Sequence, residues 1–115
     1  MKRLALVAAA FALASAPAFA ADKKVERLWK AKCSSCHGAD GKGQTEKGKK
    51  MKVADMTDAA WQKKVTDDDM KKAISDGVKK EADGVKKEMD PYKDEVKGEQ
   101  LDAVVAHIRE LGGKK

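Results

Sequence analysis

The 115-residue chain is short of aromatic side chains, with two phenylalanines, two tryptophans and one tyrosine, which excludes a core filled mainly by rings. Two cysteines are too few for the multi-disulfide framework of a small secreted scaffold. With only two prolines and two histidines, any kink, cis turn or imidazole chemistry has few places to be. No interior segment approaches the roughly 20 apolar residues of a membrane helix, and none alternates well enough to be read as a strand. Basic and acidic residues alternate along the chain with few interleaved aromatics, so nucleic acid is not an expected partner.

The one long apolar run, Leu4 to Ala14, follows Lys2 and Arg3 and leads to Pro17 and Ala18-Phe19-Ala20. Basic start, short apolar middle and small-residue exit are the pattern of a secretory signal peptide. The expected division is therefore a signal over residues 1–20 and one domain over 21–115, delivered to the periplasm without a membrane anchor. Both phenylalanines leave with the signal. Of the remaining 95 residues only 20 are Val, Leu, Ile, Met, Trp or Tyr, a proportion that calls for a staple or a buried cofactor. An apolar cofactor would supply the missing burial at about 25 cal/mol per Å², so the cofactor-free chain is expected to fold poorly.

Periodicity is helical wherever it is readable, which predicts a small all-α domain. Val25, Leu28 and Trp29 share one face of a first helix over about Asp22 to Lys32. From Gly38 to Asp55 four glycines lie among lysines and predict a long loop, a feature compatible with a compact domain when it wraps a ligand. Thr57 or Asp58 caps a short helix carrying Trp61 and Val65, and Thr66 with Asp67, Asp68 and Asp69 opens a middle helix with Met70, Ala73 and Ile74 inward and Gly77 as its stop. About Glu81 to Gly98 reads as a second irregular stretch, with the turn-prone pair Asp83-Gly84 and with Pro91. The last helix, about Glu99 to Leu111, aligns Leu101, Val104, Val105, Ile108 and Leu111 on one stripe that suits the face of the first helix, and Gly112-Gly113 ends it.

Chemistry concentrates in Cys33-Ser34-Ser35-Cys36-His37. Two thiols three apart with histidine next is the attachment pattern of c-type haem. On a helical turn Cys33 and Cys36 reach one edge of the same ring and form thioethers, while His37 offers a nitrogen to iron as the proximal ligand. A zinc site using His107 as a fourth ligand fits poorly, because adjacent Cys36 and His37 strain to meet one small ion. A thioredoxin-like pair needs a preceding strand in a βαβ context, and none is found here.

With that motif near the N-terminus, a late Met89-Asp90-Pro91-Tyr92 loop and an amphipathic final helix, the chain resembles the class I cytochrome c family. The resemblance implies a small cytochrome c-like fold in which N- and C-terminal helices cross, and helices and loops wrap one covalently attached haem c per chain. It implies a soluble monomeric carrier, not an enzyme, whose iron cycles between Fe(II) and Fe(III). Four mature methionines compete for the distal iron position, and placement favours Met89, stiffened by Pro91. Met70 reads as core filler, and Met51 and Met56 as packing against the haem. His37 is expected to donate its second nitrogen to a backbone carbonyl of the first loop, although the proline usual there in the family is absent. His107 stands where the family often has an aromatic residue and reads as a partly exposed helix histidine. With Lys2 and Arg3 removed, 23 basic residues face 19 acids. Lys42, Lys49, Lys86 and Lys87 are the expected steering charges for acidic redox partners. The alternative is a haem enzyme or gas sensor with an open sixth position.

Overall fold

The computed structural model describes residues 18–113, so most of the expected signal segment lies outside the described residues. Helix α1 (Ala18–Leu28) continues without a break through a π-helical turn, Trp29–Cys33, into a final α turn, α2 (Ser34–His37). The sequence reading placed the end of this helix at about Lys32; the backbone instead widens by one residue per turn and carries on through the cysteine motif. Wide turns of this kind are frequent at functional sites. Gly38, at φ 82° and ψ 156°, ends the helical path.

The first loop is not structureless. It holds a short helix, α3 (Glu46–Met51), capped by the Thr45 hydroxyl, which accepts from Gly48 N–H at 2.9 Å. Asp58 caps α4 (Ala59–Lys64) by accepting from Trp61 N–H. Thr66 and Asp69 form a reciprocal capping box at the start of α5 (Asp67–Asp76), and Gly77 stops it. The caps of α4 and α5 lie where the sequence placed them, because short polar side chains satisfy the free N–H groups of a helix start in any tertiary context.

The expectation of an all-α domain requires correction: the fold is mostly helical but includes a two-stranded antiparallel sheet, β1 (Val78–Ala82) and β2 (Val85–Met89). The pair lies partly in the stretch read as irregular. Asp83 (φ 54°) and Gly84 (φ 76°) form the two-residue connection, the left-handed pair that a type I′ hairpin turn demands. The final helix α6 (Glu99–Leu111) has the predicted limits.

Val104, Val105, Ile108 and Leu111 of α6 bury against Val25 and Trp29 of the first helix and Met70 and Ile74 of α5, with Met56 and Val96 completing the core. Helices α1 and α6 pack together as the two apolar stripes require, and α5 packs on α6 as well. A polar knot fixes α4 to α6. Arg109 donates to the carbonyls of Gln62 (2.6 Å) and Val65 (2.8 Å) and to the Asp67 carboxylate (2.8 Å). Gln62 in turn donates to the carbonyls of Met56 and Ile108. Among the described residues no helix is long and apolar enough to cross a membrane.

Candidate functional site

The cysteine motif sits where α2 leaves the core, and its surroundings are held by local bonds. Trp29 is buried; its indole N–H donates to Gly38 O at 2.9 Å, and its ring lies 5.9 Å from that of His37. The loop returns to the same turn: Gly43 N–H donates to His37 O at 2.7 Å, and the Thr45 hydroxyl donates to Cys36 O at 2.7 Å. Gly48 rests against the Cys36 carbonyl so closely that a Cβ there would collide with it. Glycine is required at this position by the approach of two backbones.

Two adjoining cavities open beside the motif. One, of about 280 Å³, is lined by Cys33, Cys36, His37 and Met89 together with charged rim residues that include Lys32 and Lys47. The other, of about 240 Å³, reaches inward to Met56, Trp61, Met70 and Ile74. His37, Met51, Val53, Glu88 and Met89 line both, so the two form one slot with a thiol end and an apolar end. The hairpin forms the wall carrying Met89. Gly77 permits it, because a Cβ at that φ of +78° would stand 2.5 Å from Met89 O. Beyond Met89 the chain is stapled back to the motif helix. The Tyr92 hydroxyl donates to Lys32 O at 3.2 Å, and Glu95 pairs with the Lys32 ammonium at 3.0 Å.

Electrostatics weigh against the competing chemistries. Burial pushes the Cys33 thiol up to about 11, whereas a redox-active cysteine needs a lowered value. Burial also holds His37 below its ordinary value, which keeps the imidazole neutral and its lone pair free to bind a metal. Trp29 touches both histidines, its ring 5.9 Å from that of His37 and 5.0 Å from that of His107. Among the described residues no three His, Cys, Asp or Glu side chains gather as a metal cluster. The expected partner of His37 is not met: its Nδ1 is buried with no hydrogen-bond partner, and the Gly38 carbonyl at the head of the loop is taken by Trp29.

The family whose model matches is Cytochrome c, over residues 23–112. The chain belongs to the cytochrome c family. Members carry covalently attached haem c, and Cys33-x-x-Cys36-His37 fits that attachment. A solved structure of the KustC0563 c-type cytochrome is similar at 28% identity and a TM-score of 0.61, covering 75% of this chain and 94% of its own. A tyrosine-to-phenylalanine mutant of Kustc0563 is similar at 25% identity and a TM-score of 0.57, covering 76% and 96%. No curated protein matches.

The residues present fit a covalently anchored porphyrin. Two half-buried thiols and an imidazole lie at one end of a mostly apolar slot, and a thioether from the facing hairpin lies along it. All four methionines weighed from the sequence line the slot. Sequence reasoning missed Lys32, which neighbours Cys33 on the motif helix, and Lys47 and Lys80, which α3 and the hairpin bring to the slot.

Proposed function

We propose that the chain is an exported one-electron carrier. Cys33 and Cys36 hold haem c through thioether bonds, His37 is the proximal iron ligand and Met89 the distal one. The observation that carries this reading is that all four side chains line the same cavity although 52 residues separate His37 from Met89. When bound, the haem supplies reversible Fe(III)/Fe(II) chemistry. The chain does the rest. Trp29 and α3 fix the helix turn that presents the imidazole, the hairpin carries a soft thioether donor that favours the reduced metal, and Met56, Met70 and Ile74 keep water from the ring.

Met51 also lines both cavities, at the end of α3, a helix bonded through Thr45 to the Cys36 carbonyl and packed on β2 as well. Met89 is preferred because it closes β2 just before Pro91, which stiffens the loop that presents it. Periplasmic delivery is supported by the signal pattern of residues 1–20 and by a family match that begins just after it, at residue 23. Lys47 at the slot and Lys86 on the outer face of the hairpin suit weak docking to acidic redox partners.

A redox titration of the purified protein with visible spectra of both states, followed by carbon monoxide on the reduced form, tests the reading. One reversible one-electron step and no carbon monoxide binding are expected. Ready binding would replace the carrier with an enzyme or sensor that keeps an open sixth position.

A further inference from the structure

The hairpin wears opposite charge arrangements on its two faces. Outward, Lys79 stands across from Glu88 and Glu81 from Lys86, so the face neutralises itself. Inward, Val78 pairs with Met89, Lys80 with Lys87 and Ala82 with Val85. Two like charges directly opposite one another disfavour the sheet, and both of these line the apolar end of the slot.

Among the described residues neither lysine forms an ion pair with a carboxylate. The ion pairs among the described residues are Lys32 with Glu95, Lys71 with Asp102 and Arg109 with Asp67. Two acids share the cavity lining: Asp69 accepts from Thr66 N–H in the capping box and Glu88 stands opposite Lys79 in the strand register, and neither forms an ion pair with Lys80 or Lys87. Lys87 is half-buried and Lys80 more exposed, so the pair reaches from the rim inward.

We propose that Lys80 and Lys87 clamp the two propionate carboxylates of the haem, a reading that rests on the haem seat assigned above. The cysteines line the other end of the slot, apart from the lysines. Thioethers formed there fix the vinyl-bearing edge of the ring, and its two carboxylates then fall at the lysine end. Two ammonium heads facing one pair of carboxylates turn a repulsive cross-strand pair into charge-assisted hydrogen bonds. Because Met89 follows Lys87 on the same face of β2, the clamp also positions the distal thioether.

Inward charge can instead guard a sheet edge against pairing with other chains. Holoprotein carrying 13C-labelled haem carboxylates separates the two roles. Lys80→Gln/Lys87→Gln is compared with Lys79→Gln/Lys86→Gln, which removes the same charge from the outer face, and with Lys80→Arg/Lys87→Arg. The inner double variant is expected to shift the isotope-edited carboxylate bands and lower the reduction potential. It should also bind imidazole at the ferric iron about tenfold more tightly for each clamp lost. The outer variant should leave the bands in place, and the arginine variant should keep most of the wild-type behaviour. Equal effects from inner and outer pairs, or unchanged bands in the inner variant, overturn the clamp. Should the inner double variant mature poorly, Lys80→Gln and Lys87→Gln singly carry the same comparison. Wild-type protein without a Soret band and with the mass of the bare chain refutes the haem seat itself, before any variant is read.

Discussion

The two walls of the slot are built in different ways. The wall from Trp29 to Met56 is local: a continuous helix turn, a loop that folds back within 10 residues, and short bonds such as Thr45 to Cys36 O. The wall from Val65 to Tyr92 is assembled at a distance. Its hairpin is anchored to α5 through Gly77 and to the motif helix through Tyr92, which bonds a carbonyl 60 residues away. The first wall carries the haem-attachment motif, and the second carries the methionine that shares its cavity.

That contrast breaks most sharply at the thiols. Cys33→Ala/Cys36→Ala should abolish covalent attachment, read as a chain mass without haem, whereas no change in the hairpin wall should do so. Met89→Ala comes next. It should retain attached haem yet alter the visible spectrum, lower the reduction potential and admit carbon monoxide to the reduced form, while Met51→Ala leaves the spectrum unchanged. Unchanged ligation in Met89→Ala removes that assignment.

Two glycines sharpen the comparison at smaller cost. Gly48→Ala and Gly77→Ala each force a Cβ into backbone and should destabilise the holoprotein by about 1–3 kcal/mol in denaturant unfolding. Only Gly77→Ala should also disturb the distal-ligand spectrum, because its obstacle is the Met89 carbonyl. The smallest effect belongs to Tyr92→Phe. Losing one hydrogen bond to Lys32 O at a partly buried site should lower stability by about 0.5–1.5 kcal/mol and loosen the hairpin wall without touching haem attachment.

What could be read in advance follows the same division. Asp58, Thr66 and Gly77 act at helix ends, and α6 has the limits its stripe predicts, since capping and periodicity depend on residues within one or two turns. The hairpin escaped notice although Asp83-Gly84 marked its turn. Its inner face runs Val78, Lys80, Ala82 and then Val85, Lys87, Met89, so lysines interrupt the alternation that would reveal a strand. Helix α3 escaped because six residues with a glycine in the middle carry no apolar stripe; the Thr45 cap and the packing of Gly48 hold it. The missing partner of His37 Nδ1 was equally illegible, since the Gly38 carbonyl is taken by Trp29 across nine residues.

The sequence by itself determined the attachment chemistry, the helix ends and the poverty of the core, because each follows from residue type and near-neighbour spacing. Tertiary structure decided that Met51 and Met89 share the cavity of the motif, which lysines ring the slot and that a β-hairpin forms one of its walls. Those outcomes depend on contacts between segments tens of residues apart, where burial and strand register, rather than local preference, set the lowest free energy.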